Sequence, residues 1–286
     1  MPVIVVGNVF IGGTGKTPFV IWLAEELRAA GCKPGIISRG YGANGDTARA
    51  VTASSHAAEV GDEPLLMAQR TGCPLYVGRH RAEVGRALLA AHLEVDILIA
   101  DDGLQHYALQ RDVEIVMCDN RGNGNGWLLP AGPLRESVRR RRDFTVVNAS
   151  RMPQDVPSPA FLLRLAGDTA WSLAAPAQSR PLSAFAGQKL AAIAGIGNPA
   201  RFFQLLSDAG LQFDASPLPD HHDFTATDFA HLRADAILIT EKDAVKCRQL
   251  EPLKSDPRVW VVPVTAQVDF ALTQQILEKC RGFPSA

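Results

Sequence analysis

Apolar positions along the chain follow two alternating spacings, and together they predict an α/β fold. The β-formers Val3–Val6 run directly into a glycine-rich turn, and apolar residues in 17–30 then recur at helical spacing until Gly31. Further strands are predicted at 35–38, 75–77, 95–100, 113–118 and 144–148, with a helix at 79–92. Strands that alternate with helices are typical of a mostly parallel sheet with helices on both faces.

The turn after the first strand has the composition of a phosphate-binding loop. It ends in G-G-T-G-K-T, although Phe10 stands where the strict P-loop pattern has glycine. Glycines let consecutive backbone N–H groups converge on phosphate oxygens, and the following helix aims its positive end at the anion. The pattern assigns Lys16 to the β- and γ-phosphates of ATP and the Thr17 hydroxyl to Mg²⁺. The residues predicted to bind nucleotide here are Gly12, Gly13, Thr14, Gly15, Lys16 and Thr17.

A pair of aspartates closes a second buried strand. Asp101 and Asp102 directly follow the apolar run 95–100, which is the Walker B arrangement. Together with Thr17 they are the predicted Mg²⁺ ligands. The alternatives are a solvated strand end for the aspartates and an ordinary glycine-rich turn for the loop. Both stretches together favour a P-loop NTPase-type sheet.

The proline-rich, polar stretch 150–158 predicts a domain boundary. We therefore expect a P-loop kinase core at 1–150, a short extended linker with short strands at 151–181, and a smaller α/β domain at 182–286. The smaller domain has no P-loop of its own. Its strands are predicted at 190–194, 236–240 and 258–264, and its helices at 200–209 and 244–250.

Composition restricts the compartment and the ligands. A formal net charge of −1 argues against a general nucleic-acid binder. Five widely spaced cysteines without C-x-x-C indicate reduced thiols in a cytosolic protein rather than a disulfide framework or a zinc site. The sequence has neither a window of about 18 apolar residues nor a signal peptide. The first strand follows Met1 and Pro2 directly, so we expect a start that is truncated relative to longer relatives.

Three further stretches contain candidate ligands. Arg39 follows a strand near the P-loop, where a surface position and a phosphate contact are equally compatible with the pattern. Residues Asp119–Glu136 contain four glycines and two prolines and predict a long irregular loop of functional importance. A helix is expected to resume at Arg135 and Glu136. The run Arg139–Arg142 then predicts either a solvated helix face or a surface for anionic lipid.

Eight stretches of the chain form a joint pattern. They are V-G-N-x-x-x-G-G-T-G-K-T-P (6–18), S-R-G-Y-G (38–42), V-G-D-E-P (60–64), D-D-G-L-Q-H (101–106), P-A-G-P-L-R-E (130–136), G-I-G-N-P-x-R-F-F (195–203), P-D-H-H (219–222) and T-E-K-D-A-V-K (240–246). In this order, and over nearly the whole chain, the pattern closely resembles the tetraacyldisaccharide 4′-kinases of lipid A synthesis.

The resemblance implies an enzyme that uses ATP and Mg²⁺ to phosphorylate the 4′-hydroxyl of a tetraacylated glucosamine disaccharide 1-phosphate. It places the enzyme in the cytoplasm, peripherally associated with the inner membrane, where the acylated disaccharide lipid is its partner. It implies no nucleic acid and indicates no protein partner. Members of the family usually have an amphipathic or membrane-anchoring helix ahead of the first strand, and we expect none in this chain, because its first strand follows Met1 and Pro2 directly.

The resemblance also assigns roles to single residues. Asp62 of V-G-D-E-P matches the catalytic carboxylate, and His221 of P-D-H-H matches a histidine that assists it. From the bare sequence Asp62 is instead a helix cap, because Asp-Glu-Pro is typical of a helix start. The predicted catalytic residues are Asp62, His221 and Lys16, and the nucleotide-binding residues outside the P-loop are Gln105, Arg135 and Glu136.

Two other functions fit parts of the pattern. A P-loop kinase could phosphorylate another sugar or metabolite, and a membrane-associated ATPase could use hydrolysis to drive partner binding. A kinase transfers phosphate to an acceptor, whereas a switch releases it to water. The carboxylate of V-G-D-E-P beside a second domain favours the kinase.

Overall fold

The computed structural model describes residues 1–40 and 47–281, and within them the chain forms two compact units. The first unit comprises the described parts of 1–165 and 266–281, and the second comprises 166–265. Tyr41 and Gly42 of the S-R-G-Y-G stretch, with most of the loop predicted after Ser38, lie outside the described residues.

The elements are as follows, in chain order. The strands are β1 (Val3–Asn8), β2 (Pro34–Ser38), β3 (Arg49–Val51), β4 (Leu75–Val77), β5 (Ile97–Asp101), β6 (Val113–Asp119), β7 (Phe144–Asn148), β8 (Ala160–Ala166), β9 (Thr169–Ser172), β10 (Ser179–Pro181), β11 (Leu190–Ala194), β12 (Phe213–Pro217), β13 (Ala236–Thr240), β14 (Val259–Val262) and β15 (Thr265–Val268). The helices are α1 (Lys16–Ala29), α2 (Ala57–Val60), α3 (Asp62–Thr71), α4 (Arg81–Ala91), α5 (Pro199–Asp208), α6 (Ala226–Ala230), α7 (Glu241–Cys247), α8 (Glu251–Lys254) and α9 (Ala271–Arg281), with a 3₁₀ turn at Leu182–Phe185.

The first unit is built on a mostly parallel sheet. Its described strands lie in the order β15-β8-β7-β6-β1-β5-β2-β4-β3, and β1 pairs in parallel with both β5 and β6. At the edge, β3 pairs antiparallel with β4. Every residue of β1, β2, β5 and β7 is buried, as expected for strands covered on both faces.

Helices cover the two faces of this sheet. Val3 and Val5 of β1 belong to one hydrophobic cluster with Leu88 of α4. Successive strand residues point to opposite faces, so the fully buried Ile4 and Val6 face the other layer, where α1 contacts both β1 and α3. The predicted α/β sheet with helices on both faces is confirmed. None of the described helices is both long and apolar enough to cross a membrane.

The second unit is a smaller α/β sheet. Its described strands lie in the order β10-β9-β14-β13-β11-β12, with parallel pairing from β14 to β12 and antiparallel pairing of β9 with both β14 and β10. Hydrophobic clusters that include Leu238 and Ile239, adjacent residues of β13, lie on its opposite faces. The predicted strands 190–194 and 236–240 coincide with β11 and β13.

The structure divides the chain differently from the sequence prediction. The first sheet does not end at 144–148, because β8 pairs in parallel with β7 and β15 lies beyond β8. Residues 151–181 are therefore not a linker, since β8 belongs to the first sheet while β9 and β10 belong to the second. Helix α9 lies in the first unit and not in a domain 182–286. Local hydrophobic patterns indicate strands but not the partners with which they pair.

Two glycines that face Leu98 predict opposite effects of an added methyl group. A Cβ at Gly35 in β2 would lie 2.8 Å from Leu88 Cδ2 and 3.1 Å from Leu98 Cδ2, so neighbouring side chains would have to shift. We expect Gly35→Ala to destabilise the protein by about 1–3 kcal/mol. A Cβ at Gly85 in α4 would make an ordinary 3.5 Å contact with Leu98 Cδ1. Since alanine also favours the helix by about 1 kcal/mol, Gly85→Ala should raise the melting temperature.

Thermal unfolding of both variants checks this pair. A Gly35→Ala protein with the same melting temperature as the wild type would contradict close packing between β2 and α4.

Candidate active site

The parallel register of β1, β5 and β2 brings their carboxyl ends to one edge of the first sheet. Val6 is the register partner of Asp101, and β2 ends beside β5 at Ser38. The Ser38 hydroxyl donates a 2.8 Å hydrogen bond to Asp101 Oδ2. The glycine-rich loop leaves β1 at this same edge, which is where open α/β sheets bind ligands.

The glycine-rich loop turns sharply into α1. Gly12 and Gly15 have φ angles of 92° and 90°, in the left-handed region that glycine tolerates, and Gly15 is the N-cap of the helix. A Cβ at Gly15 would lie 2.4 Å from Asn148 Nδ2, so a larger residue would have to displace the Asn148 amide. Helix α1 begins at Lys16, and Thr17 lies buried in its first turn.

Three polar residues that the sequence analysis missed hold this loop. The Asn8 side chain donates to the carbonyls of Phe10 and Gly12. Arg121 Nη2 donates to the Gly13 carbonyl at 3.2 Å, while Asp119 anchors the guanidinium through a 2.8 Å contact. Asn148, at the end of β7, donates to the Thr14 carbonyl at 3.1 Å. The available signal was position, because Asn8 and Asn148 are amides that end buried strands.

Lys16 and Arg135 share one carboxylate. Lys16 Nζ lies 3.4 Å from Asp102 Oδ1 and donates to Asn8 Oδ1 at 3.1 Å. Arg135 Nη1 donates to both oxygens of Asp102 at 3.0 Å. Asp102 itself has a φ angle of 48°, an uncommon backbone conformation for a residue with a side chain. Strained conformations persist only where surrounding contacts enforce them, and they concentrate at functional sites.

The two adjacent aspartates have opposite electrostatics. Burial, with the negative charges of Glu63 and Asp102 nearby, raises the pKa of Asp101 to about 6. Burial also acts to raise the pKa of Asp102, but Lys16 and Arg135 outweigh it and hold that pKa below its ordinary value. Asp102 is therefore a firmly ionised partner of two cations, whereas Asp101 is a buried carboxyl group among like charges.

The donor set at this edge fits a magnesium ion. Mg²⁺ takes oxygen ligands and uses one or two carboxylates together with phosphate oxygens and water. Asp101 Oδ1 is buried without a hydrogen-bond partner among the described residues, and the Thr17 hydroxyl belongs to the first turn of α1. In the part of the chain that the structure describes, no group of three or more His, Cys, Asp or Glu residues is arranged to hold a metal by itself.

The predicted nucleotide residues Gln105, Arg135 and Glu136 lie in one hydrogen-bonded network. Gln105 Nε2 donates to Glu136 Oε1 at 2.6 Å, and Arg135 Nη1 lies 3.5 Å from Gln105 Oε1. Arg140 contacts Glu136 at 2.6 Å and Glu114 at 2.6 Å. The network thus connects the Asp102 carboxylate to the irregular loop before β7.

The helix predicted after Glu136 is absent, because the described residues 120–143 form turns and bends without a helix or strand. The arginine run is correspondingly divided. Arg139 and Arg141 are exposed, whereas Arg140 pairs with Glu114 and Glu136, and Arg142 donates to the carbonyls of Arg140 and Val138. A uniform solvated face was therefore wrong as an interpretation of the four arginines.

Arg81 is a further charged residue that the sequence analysis missed. It begins α4 and is only 2% exposed, and its Nη1 donates to the Gly78 carbonyl. Burial lowers its pKa to about 10, while the charges of Asp101 and Asp102 act in the opposite direction. Arg39, which is exposed, contributes positive charge to the same region. A buried arginine was not recognisable from G-R-H-R, where three basic residues look alike.

Asp62 begins α3 but is not its N-cap. Gly61, with a φ angle of 89°, takes the N-cap position, and as a glycine it has no side chain with which to cap the helix. The Asp62 carboxylate is 5% exposed and accepts the Glu63 N–H at 2.8 Å. Because Glu63 acts electrostatically on Asp101, the start of α3 lies close to the carboxyl end of β5. The capping interpretation therefore finds one first-turn N–H group on the Asp62 carboxylate, but not Asp62 at the N-cap position.

His221 lies in the second unit, on the loop after β12. Its backbone N–H donates to the Gly195 carbonyl at 3.1 Å, and its φ angle is 59°. Asp102 and His221 are the two described non-glycine residues with positive φ. Asp220 Oδ2 lies 3.8 Å from His221 Nε2, and Lys242 contacts Asp220 at 3.2 Å.

Comparison with known proteins gives consistent results. A family model described as tetraacyldisaccharide-1-P 4′-kinase matches residues 1–281. Tetraacyldisaccharide 4′-kinases from Herminiimonas arsenicoxydans and Dechloromonas aromatica are 60% and 49% identical, over 99% of this chain and 83% and 85% of theirs. A crystal structure of an "apo" form of LpxK from Aquifex aeolicus, in complex with ATP, has a TM-score of 0.79 and 27% identity, covering 98% of this chain and 88% of that one. The family model and the relatives agree over nearly the full sequence, and this chain belongs to the tetraacyldisaccharide 4′-kinase family.

Proposed function

We propose that this chain transfers the γ-phosphoryl group of ATP to the 4′-hydroxyl of a tetraacylated glucosamine disaccharide 1-phosphate, the lipid A precursor. One observation carries the proposal. The P-loop with Lys16 and the Asp101–Asp102 pair meet at one edge of the first sheet. The electrostatic effect of Glu63 on Asp101 indicates that the start of α3, with the buried Asp62, lies close to the same edge. Phosphoryl transfer needs all three: a phosphate cradle, charge stabilisation and a group that takes the acceptor proton.

The nucleotide would be held by the backbone N–H groups of the loop and by Lys16. Phosphoryl transfer develops charge on the transferred oxygens, and positioned cations stabilise that charge. Lys16 is prepositioned by Asn8 and Asp102, so little side-chain freedom is lost when it meets the phosphates. We assign Gln105, Arg135 and Glu136 to the surroundings of the nucleotide, since their network adjoins Asp102.

Asp101, Asp102 and Thr17 are the residues we propose to hold Mg²⁺. Bound there, the ion supplies positive charge against the phosphate oxygens. The protein's own contribution is to bury Asp101 away from water and to fix it through the Ser38 hydroxyl. Lys16 and Arg135 orient Asp102.

Asp62 is the group we propose to accept the proton of the attacking hydroxyl. A carboxylate in hydrogen-bond reach of that hydroxyl can act as general base. The Glu63 N–H fixes Asp62 Oδ1, and the first turn of α3 favours the ionised form through its dipole. We further propose, from the family resemblance, that His221 assists this step.

An acylated acceptor requires apolar surface beside the phosphate loop. Ile11, Trp127, Leu128 and Leu129 are all exposed large apolar residues. The bridges of Phe10 with Leu134 and of Leu128 with Leu134 join this part of the irregular loop to the P-loop. Exposed apolar patches mark lipid or partner contacts, which supports a lipid substrate and peripheral attachment to the inner membrane.

A transfer assay with γ-labelled ATP and the tetraacyldisaccharide 1-phosphate tests the function directly. We expect label in the lipid product and little free phosphate without acceptor. Release of label to water at an equal rate with and without the lipid would favour the ATPase switch instead. Label on an unacylated sugar but not on the lipid would favour a different sugar kinase.

Lys16→Ala should lower kcat by about 10²- to 10³-fold, because the transferred phosphoryl group loses a positioned cation. The exposed Lys33 serves as the matched control, and Lys33→Ala should leave kcat unchanged. Both variants are measured under saturating ATP. Wild-type turnover in Lys16→Ala would remove the phosphate-binding role from this loop.

Asp62→Asn separates catalysis from helix stability. Asparagine keeps the oxygen that accepts the Glu63 N–H but cannot take a proton, so we expect kcat to fall by about 10²- to 10⁴-fold at an unchanged melting temperature. The exposed Glu59 of α2 provides the control Glu59→Gln. A stable Asp62→Asn protein with near-normal turnover would show that Asp62 only stabilises the start of α3 and does not take part in catalysis.

The divided arginine run predicts a divided effect on membrane binding. Arg139→Gln with Arg141→Gln should weaken binding to anionic phosphatidylglycerol vesicles about thirtyfold at low salt, since each exposed arginine contributes about 1 kcal/mol. Arg140→Gln should instead lower the melting temperature, because Glu114 and Glu136 lose their shared partner. Vesicle sedimentation and thermal melts check both. Equal vesicle binding by the double variant and wild type would refute a role for these two arginines.

A further inference from the structure

Asp243 is a completely buried carboxylate in the second unit, outside the proposed mechanism. It lies in the first turn of α7. Thr240 is the N-cap of this helix, and its Oγ1 accepts the Asp243 backbone N–H at 3.1 Å. The Thr240 hydroxyl donates back to Asp243 Oδ2 at 2.7 Å. Helix capping here requires only the threonine oxygen, so it does not explain why a carboxylate is buried at this position.

The same Asp243 oxygen makes a second, long-range contact. Oδ2 accepts the backbone N–H of Gly195 at 3.1 Å. Gly195 directly follows β11, and β11 is the parallel neighbour of β13, which ends at Thr240. The carboxylate therefore connects the carboxyl ends of two adjacent strands. A Cβ at Gly195 would lie 3.2 Å from Asp243 Oδ1 and 3.1 Å from His222 Cβ, so the turn also packs closely against both residues.

Gly195 in turn holds the backbone of His221. The Gly195 carbonyl accepts the His221 N–H at 3.1 Å. With its φ angle of 59°, His221 occupies a conformation that a residue with a side chain adopts only where neighbouring contacts enforce it. Gly195 thus contacts both residues: its N–H donates to Asp243, and its carbonyl accepts the His221 N–H.

Burying this carboxylate is unfavourable. Desolvation raises the pKa of Asp243, while the hydrogen bonds from Thr240 and Gly195 act against that increase. Its hydrogen bonds to the β11 turn and the helix start compensate part of the desolvation.

We infer that Asp243 is a positioning residue for His221, acting through Gly195. It orders the turn after β11, and that turn fixes the backbone from which the His221 imidazole projects. This inference rests on the role proposed for His221 in phosphoryl transfer.

The opposite end of the same sheet contains a matched control. Asp235 precedes β13, and its Oδ2 accepts the backbone N–H of Lys189 at 2.9 Å, while the Asp235 N–H donates to the Lys189 carbonyl at 2.7 Å. Asp235 thus links the amino ends of β11 and β13 as Asp243 links their carboxyl ends. The two differ in burial, since Asp235 is exposed and Asp243 is completely buried, and in that Asp243 is the one connected to His221.

The test is a double-mutant cycle on the full chain. Asp243→Ala and Asp235→Ala are each made in the wild type and in His221→Ala, and kcat, the KM for ATP and the melting temperature are measured. Alanine removes the oxygen that accepts the Gly195 N–H, which asparagine would keep. We expect Asp243→Ala to lower kcat about 10- to 100-fold with little change in KM, since misplacing a group by about 1 Å has effects of this size. In His221→Ala the same substitution should lower kcat no further, because its effect passes through the histidine. Asp235→Ala should leave kcat unchanged in both backgrounds.

Multiplicative losses of kcat in the Asp243→Ala, His221→Ala double variant would overturn the inference, and so would normal turnover in Asp243→Ala. A His221→Ala protein with wild-type kcat would instead contradict the role proposed for His221 itself. Should Asp243→Ala melt below the assay temperature, Gly195→Ala decides, because its methyl group presses on Asp243 and His222 while leaving the Asp243 carboxyl group in place. An unchanged kcat in a folded Gly195→Ala protein would refute the positioning role of Asp243.

Discussion

Parallel pairing of β1 with β5 is the constraint on which the first unit depends. Parallel neighbours end at the same edge, so the glycine-rich loop and the aspartate pair meet although more than eighty residues separate them in sequence. This juxtaposition places the Asp102 carboxylate between the cations of Lys16 and Arg135. Without the carboxylate, two positive side chains beneath the loop would repel one another.

Asp101 and Asp102 are adjacent in sequence, but the backbone directs their side chains into different surroundings. Asp101 is the last residue of β5, and its side chain is buried with Ser38. Asp102 has left the strand through a left-handed turn and meets the cations. A single step along the chain thus changes a carboxyl group with a raised pKa into one with a lowered pKa.

Local signals in the sequence sufficed to locate the glycine-rich loop, the aspartate pair and most strands, because each depends on neighbouring residues. The sequence could not show that Asn148 and Arg121 hold the loop, since they lie more than a hundred residues away and contact it only after folding. The same limit applied to β8, which the sequence analysis placed in a linker at 151–181 and which pairs with β7 in the folded protein. The helix expected at the arginine run failed where a tertiary contact intervenes, because Arg140 pairs with Glu114, 26 residues earlier in the sequence.

The pairing of β15 beside β8 has a consequence for how the protein is made. Between these neighbouring strands the chain builds the whole second unit, 166–265, before it returns to the first sheet and to α9, which contacts α1 and β6. Synthesis proceeds from the N-terminus, so the first unit cannot close its edge or cover α1 until the second has left the ribosome. During translation the first unit is therefore an incomplete sheet with β8 as an open edge strand, while the second unit already has every residue that it needs to fold.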